Sequence, residues 1–139
     1  MSTKNSPLVS IVITTRNEEK NIEKCLVSVR SQTYGNIELI VVDNFSEDKT
    51  CEVAKSYTPK VYSMGNERSS QRNFGAKLAR GKYLVYLDAD MILSPSLIQR
   101  CVVKAEKENL EALYIPERIT GNGFWIKSEI SKEASTLEQ

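Results

Sequence analysis

Residues 83–93 read YLVYLDADMIL, and this stretch places two aspartates at the end of an apolar run. The residues before Asp88 are apolar or aromatic, which is typical of a buried β-strand, and Asp90 follows after one alanine. A buried carboxylate without a partner costs free energy or shifts its pKa until it is neutral. The stretch therefore predicts a strand that ends at a site where some other group compensates the two charges.

Short runs rich in β-branched residues recur along the chain and predict further strands. With the opening stretch, the predicted strands are residues 8–15, 37–43, 61–64, 82–87 and 112–115. Most of them are apolar on both faces and alternate with amphipathic segments. This pattern predicts an α/β fold, a three-layer α/β/α arrangement around a mostly parallel sheet that helices cover on both sides.

Four helices are predicted between the strands. The first has Asn17 as its N-cap, the second spans residues 46–57, the third is capped by Ser69 or Ser70 and ends at Gly81, and the fourth starts at Ser94-Pro95. Apolar residues at helical spacing define two core faces. They are Ile22, Cys25, Leu26 and Val29 on the first helix, and Leu97, Ile98, Cys101, Val102 and Ala105 on the fourth.

Composition limits the class of protein. The 139 residues suffice for one domain, and a net charge of +1 predicts no partnership with nucleic acid. Three widely spaced cysteines, an odd number, predict neither a zinc site nor disulfides, and each is expected on a helix as a small core residue. No apolar run is long enough to span a bilayer, and the polar start is no signal peptide. We expect a cytoplasmic protein without a transmembrane segment, soluble or at most peripheral to a membrane.

The Asp-x-Asp pair predicts a metal site. Side chains two residues apart on a strand point the same way, about 7 Å apart, so Asp88 and Asp90 repel unless a cation lies near them. The chain contains no histidine, which favours a hard ion with oxygen ligands, Mg²⁺ or Mn²⁺. The alternative, that one aspartate caps the next helix, is disfavoured because Ser94 is available as the cap.

Polar residues follow several strands of the predicted parallel sheet. They are residues 14–18, 43–46, 65–72 and 88–90, and parallel sheets bind ligands at this edge. Asp43 either closes a turn before Asn44 or accepts a hydrogen bond from a nucleobase or ribose. Arg72 lies early in a helix, where a cation opposes the helix dipole. We expect it to contact an anion, either a diphosphate or Asp88; the alternative is a solvated surface arginine.

Together these motifs resemble the family 2 glycosyltransferases, which have the GT-A fold. The similar segments are VSIVITTRNEEKNIEKCLVSVRSQTY, IELIVVDNFSEDKT and RSSQRNFGAKLARGKYLVYLDADMIL, and the resemblance covers residues 8–110. It implies a metal-dependent enzyme that transfers a sugar, with inversion, from a nucleotide-diphospho-sugar (a UDP- or GDP-sugar) to an acceptor hydroxyl. The acceptor itself stays unknown.

The resemblance also implies a set of nucleotide-sugar-binding residues. The set is Thr14, Arg16, Glu18, Asp43, Arg72, Asp88, Ala89 and Asp90. Within it, Asp43 would contact the base and Asp88 the ribose, while Asp88 and Asp90 would be the metal ligands. The family often has an aromatic or other residue where Arg16 stands.

After Pro116 the chain departs from the family's pattern. We therefore expect a flexible leader at residues 1–7, a nucleotide-sugar-binding α/β domain at 8–116, and a loop and polar tail at 117–139, the start of a missing acceptor region. The family's catalytic base lies in that acceptor half. Neither Glu117 nor Glu129 matches the base motif, so the catalytic base stays unassigned.

Several alternatives accompany this interpretation. The chain could be a nucleotide-sugar-binding module that is inactive without a partner or the missing half. A nucleotidyltransferase or a dinucleotide-dependent oxidoreductase is disfavoured, because residues 14–18 contain no glycine for a phosphate loop. Phe124 and Trp125 either mediate homo-oligomerisation or pack onto the domain's own core.

Overall fold

The computed structural model describes residues 6–110, 117–120 and 123–126, the last two ranges by their backbone. The elements in chain order are β1 Val9–Thr15, α1 Ile22–Arg30, β2 Ile37–Asp43, α2 Thr50–Lys55, β3 Val61–Ser63, α3 Arg68–Leu78, β4 Tyr83–Asp88, α4 Leu97–Glu108, β5 Glu117–Thr120 and β6 Gly123–Ile126. Strands and helices alternate through α4, as the sequence predicts. Among the described helices, none has the length and apolar character needed to cross a bilayer.

β1 to β4 form one parallel sheet in the order β3-β2-β1-β4. Val9 of β1 lies opposite Ile37 of β2 and Tyr83 of β4, and the register continues until Thr14 lies opposite Asp88. Parallel strands in register end at the same edge of the sheet. The loops after β1, β2 and β4 therefore meet there, which positions the polar residues of the predicted site.

Helices cover both faces of the sheet. Ile11 and Ile13 of β1 belong to a core that includes residues of α1, α2 and α4. Val12, whose side chain points to the opposite face, packs with Phe74 and Leu78 of α3 in a second core. The predicted three-layer α/β/α fold is confirmed.

The predicted core faces of α1 and α4 are also confirmed. The buried residues that the sequence identifies are Ile22, Cys25, Leu26 and Val29 on α1, and Leu97, Ile98, Cys101, Val102 and Ala105 on α4. The three cysteines lie on α1, α2 and α4, and all are free thiols. Cys51 is only partly buried.

The predicted starts of α1 and α4 are wrong. α1 begins at Ile22, whereas Asn17 adopts a left-handed φ of 51° and its Oδ1 accepts a hydrogen bond from the backbone of Glu47 at 2.8 Å. α4 begins at Leu97, later than the predicted start at Ser94. Asn17 does not cap the helix because it bonds to a distant loop instead.

α2 and α3 also differ from prediction at their ends. α2 is shorter than residues 46–57, because Ser46 bonds to Asp43 in a turn before the helix. α3 begins at Arg68, before either predicted serine cap. It ends at Leu78, and Gly81 is not its terminator. A Cβ on Gly81 would lie 2.6 Å from Ser10 Oγ, so the glycine permits close approach to β1.

β4 departs from the expectation of a strand covered on both faces. Leu84 is 38% exposed and Tyr86 43% exposed, and the sheet order places β4 at the end of the four-stranded sheet. Their side chains share one face because they are two residues apart. Part of the apolar surface of β4 is thus uncovered by the described residues.

The segment after α4 is described only in part. β5 and β6 pair as an antiparallel hairpin, with Glu117 opposite Ile126, where the sequence predicted a loop. The predicted strand at residues 112–115 lies outside the described residues, as do the side chains of Phe124 and Trp125. The domain boundaries, the flexible leader and association through Phe124 and Trp125 stay predictions.

A partly buried ion pair between Glu38 and Lys60 lies at the amino-terminal edge of the sheet. Glu38 is 7% exposed and accepts hydrogen bonds from Ser10 Oγ and Lys60 Nζ, both at 2.6 Å, and from the Arg80 backbone at 2.9 Å. Burial alone raises the pKa of Glu38, but the hydrogen bonds and the Lys60 charge outweigh it and lower that pKa from 4.5 to about 2. The ionised carboxylate thus stabilises the fold.

We expect the stability that Glu38 contributes, up to about 3 kcal/mol, to be complete above pH 4.5 and to be lost as the pH falls towards 2. The reason is that the unfolded state binds a proton in this range and the folded state does not. Urea unfolding across this pH range should show a smaller decline for Glu38→Gln than for the wild type. Glu52→Gln, on the exposed surface of α2, is the control; equal declines for all three proteins would contradict the prediction.

Candidate functional site

A cleft of about 420 Å³ opens at the carboxyl ends of β1 and β4. Its lining residues are Thr14, Thr15, Arg16, Glu18, Asn44, Arg68, Gln71, Asp88, Ala89, Asp90 and Met91. Most of the predicted site residues are among them. Asp43 and Arg72 are not, although Arg72 touches the cleft through Asp88.

Asp88 is the centre of a cluster of donors. Its Oδ1 lies 3.3 Å from Thr14 Oγ1, 3.5 Å from Arg68 Nε and 3.7 Å from Arg72 Nη2. The carboxylate at the end of β4 is therefore compensated by two guanidinium groups of α3. Asp88 is one of the two anionic partners that the sequence predicts for Arg72.

Arg72 is held on both sides. Its guanidinium lies 5.6 Å from the centre of the Tyr86 ring, a cation–π contact, and its side chain is 40% exposed. Its Nε–H is buried and has no hydrogen-bond partner among the described residues. A buried donor without a partner is costly, so this arrangement of Arg72 is unfavourable by itself.

Arg68 is a cleft residue that lies in the predicted polar segment 65–72 but is absent from the predicted set of binding residues. It is the first residue of α3, and the first turn of this helix contains no acidic residue. Its side chain is 64% exposed, so its ion pair with Asp88 is weak and exchangeable. Its spacing of four residues from Arg72 places both on one helical face and is the signal that could have identified it.

Asp90 differs from Asp88 in its surroundings. It lies in the cleft, is exposed, and takes part in no described hydrogen bond or ion pair. Within the described residues, no group of three or more acidic, cysteine or histidine side chains is arranged to hold a metal ion. Any metal here would need ligands from a bound molecule in addition to Asp88 and Asp90.

Cys25 lies beneath the acidic end of the cleft. Burial raises the pKa of its thiol to about 12, with further contributions from the carboxylates of Asp90, Asp88 and Glu18. Its Sγ lies 3.7 Å from the backbone oxygen of Asp88. The thiol is therefore protonated at neutral pH and is not a nucleophile.

Asp43 closes a turn in this structure. It is 1% exposed, and its two carboxylate oxygens accept hydrogen bonds from the Ser46 backbone at 2.7 Å and the Ser46 hydroxyl at 2.5 Å. Asp43 also affects the thiol of Cys51. The pKa of Cys51 is raised to about 11, for which burial is the larger cause and a hydrogen bond with Asp43 the second. Of the two sequence-based interpretations, the turn is what the contacts describe, and contact with a base stays a prediction.

The loops after β1 and β2 are joined across the cleft wall. Arg16 Nη1 donates to the backbone oxygen of Asn44 at 3.3 Å. Thr15, also absent from the predicted set of binding residues, is 5% exposed, and its Oγ1 has no hydrogen-bond partner in the described part of the chain. The unpaired hydroxyl of Thr15 is therefore buried within the wall.

Gln71 connects the sheet to α3. Its side chain is buried, and Nε2 donates to the backbone oxygens of Thr15 at 3.1 Å and Val42 at 2.8 Å. These carbonyls lie at the ends of β1 and β2. Gln71 thereby sets the distance between the strand ends and the arginines of α3, and no local sequence signal identifies it.

The chain is similar to known glycosyltransferases. The sequence profile of glycosyl transferase family 2 matches residues 10–137. The uncharacterized glycosyltransferase EpsJ of Bacillus subtilis (strain 168) is 30% identical over 146 aligned residues, which cover 91% of this chain and 42% of EpsJ. The chain thus spans less than half the length of this relative.

Solved structures have the same fold. Residues 1–349 of S. aureus TarS, crystallised with UDP-GlcNAc, match with a TM-score of 0.68 at 20% identity, over 82% of this chain and 38% of that one. The mannosyltransferase PcManGT from Pyrobaculum calidifontis, in complex with GDP-Man and Mn²⁺, matches with a TM-score of 0.56 at 25% identity, over 65% and 29%. Both similarities confirm the GT-A fold.

We expect Gln71→Leu to destabilise the protein by roughly 1–3 kcal/mol, because two buried carbonyl groups lose a donor. Chemical unfolding at neutral pH measures the change. Gln99→Leu on α4 is the control, because the hydrogen bond that Gln99 Oε1 accepts from Thr33 Oγ1 is exposed and water can replace it. Equal stability of the Gln71→Leu variant and the wild type would show that Nε2 contributes nothing to the junction.

Proposed function

Because this chain belongs to glycosyltransferase family 2, we propose that its cleft binds a nucleotide-diphospho-sugar and serves transfer of the sugar to an acceptor hydroxyl. The observation that carries the proposal is the cluster at the end of β4. There Asp88 is bound by Arg68 and Arg72 while Asp90 stands exposed beside it. Cations and a carboxylate together suit a ligand that carries both a diphosphate and hydroxyl groups.

The diphosphate fits the α3 side of the cleft. Arg68 and Arg72 both carry N–H donors that are not fully used by Asp88, since their distances to its Oδ1 are 3.5 and 3.7 Å. Guanidinium groups bind phosphate oxygens with charge-assisted hydrogen bonds. The same groups stabilise the charge that grows on the departing diphosphate during transfer.

The nucleoside fits the other side of the cleft, near the loops after β1 and β2. Asp88 is proposed to contact the ribose. Asp43 is proposed to contact the base, which requires its carboxylate to leave Ser46 or to bond to Ser46 and the base together. The cleft is lined on this side by Thr14, Arg16 and Glu18.

The residues present fit a divalent ion, Mg²⁺ or Mn²⁺. Asp90 offers an exposed carboxylate without a described partner, and Asp88 offers a second one that the arginines partly neutralise. Two carboxylates leave coordination positions for phosphate oxygens, as is usual for Mg²⁺. When bound, the ion would supply additional positive charge to the diphosphate.

The proposed transfer is a substitution with inversion. The bond between the anomeric carbon and the diphosphate oxygen breaks, and the acceptor oxygen bonds to the opposite face of that carbon. The acceptor proton passes to a base, which is assigned to no residue of this chain. A cytoplasmic setting, in which UDP- and GDP-sugars would be at hand, is part of the proposal.

We expect calorimetric titration to show binding of UDP or GDP that strengthens with Mn²⁺. These nucleotides and this metal are chosen because the structurally similar proteins were solved with UDP-GlcNAc and with GDP-Man and Mn²⁺. Asp90→Asn should abolish the Mn²⁺ effect and leave the weaker metal-free binding, because the amide removes the charge of one metal ligand while retaining its size.

Glu52→Gln, distant on α2, is the matched charge control and should bind like the wild type. Absence of wild-type binding to both nucleotides would contradict the proposed site. Binding without release of nucleoside diphosphate from the sugar donor, in the presence of acceptors, would favour the alternative of a binding module.

Arg68 is expected to act on the diphosphate. Arg68→Gln should weaken UDP or GDP binding by about tenfold, the effect of one lost hydrogen bond to a charged group, and should leave binding of the corresponding nucleoside unchanged. Lys77→Gln removes a positive charge near the other end of α3 and is the control. An equal loss for nucleoside and nucleoside diphosphate would contradict a role at the phosphates.

A further inference from the structure

Phe45 combines two unfavourable features on the loop after β2. It is 62% exposed, more than any other large apolar side chain among the described residues. Its φ is 50°, in the left-handed region that a bulky side chain rarely adopts. Neither feature is explained by packing, because the ring stands mostly in solvent.

The surroundings of Phe45 hold it in this conformation. Ser46 donates two hydrogen bonds to Asp43, and Ser46 Oγ also accepts one from the Asn17 backbone at 2.7 Å. Asn17 Oδ1 accepts from the Glu47 backbone at 2.8 Å. Strained residues persist where neighbouring contacts determine their conformation, and they concentrate at ligand sites. The loop backbone that carries Phe45 is therefore held in place by these contacts.

That place is beside the cleft. Asn44, the preceding residue, lines the cleft, and both its Oδ1 and the Phe45 ring converge on Gly65 in the loop after β3. A Cβ on Gly65 would lie 3.0 Å from Phe45 Cε2 and 3.1 Å from Asn44 Oδ1. The ring therefore lies near the side of the cleft assigned to the nucleoside, two residues after Asp43.

The described cleft lining itself contains no aromatic side chain. At Arg16, a position in the cleft wall, the guanidinium is engaged with the Asn44 backbone. A nucleobase is a planar ring that is stabilised by stacking on an aromatic side chain. The nearby ring that can supply this contact from the described loops is Phe45.

We propose that Phe45 stacks on the nucleobase of the bound donor and is a base-binding residue of this site. The inference rests on the proposed function, because it requires a nucleotide ligand. The base would cover the ring when the donor binds, which accounts for the exposure of Phe45. In this proposal, the loop after β2 supplies the aromatic ring that contacts the base.

The test compares Phe45→Asn and Phe45→Tyr with the wild type. Asparagine tolerates the left-handed conformation, so Phe45→Asn should raise or maintain the melting temperature. It should weaken binding of UDP or GDP, measured by calorimetry, by about tenfold, the effect of one lost base–aromatic stack. Phe45→Tyr should retain wild-type affinity. Binding of inorganic pyrophosphate, which has no base, should be the same in all three proteins.

Val103→Asn is the control, because Val103 is also an exposed apolar residue but lies on α4. It should change neither the affinity for UDP or GDP nor the affinity for pyrophosphate. Unchanged nucleotide affinity in Phe45→Asn would overturn the inference while leaving the proposed function intact, whether stability rises or falls. A change in oligomeric state with unchanged affinity would likewise overturn it and assign the ring to contact with a second copy. If the wild type binds neither nucleotide, the proposed function fails, and the inference fails with it.

Discussion

The parallel pairing of β1 with both β2 and β4 is the constraint on which the rest of the structure depends. Its register sets Thr14 opposite Val42 and Asp88, so strands that are distant in sequence end at the same level. Parallel sheets bind ligands at this edge because their connecting loops converge there. Without this register, the polar residues after each strand would have no common site.

The position of α3 against the sheet determines the charge of that site. A Cβ on Gly75 would lie 2.4 Å from Val12 Cγ1, so the helix approaches β1 as closely as glycine allows. Gln71 fixes the same junction by hydrogen bonds to the strand ends. This close approach brings Arg68 and Arg72 to Asp88. The two guanidinium groups thereby compensate the carboxylate at the strand end.

Hydrogen bonds connect the loops after β1 and β2 to each other. Asn17 and Ser46 exchange hydrogen bonds with each other's loop, and Arg16 bonds across to Asn44. These contacts hold residues in left-handed conformations that isolated loops would avoid. A wall held in this way needs little reordering when a ligand binds, which favours affinity.

The layers of this fold and the acidic end of the cleft follow from the order of amino acids along the chain. Hydrophobic periodicity is a local property, so spacing alone identifies the core faces of α1 and α4 and the strand that ends at Asp88. The starts of the helices could not be predicted in this way. Asn17, for example, bonds to a loop about 30 residues away instead of capping α1. Arg68 and Gln71 also depended on the folded structure. Their roles arise from the packing of α3 on the strand ends, and contacts between distant segments leave no periodic signal in the chain.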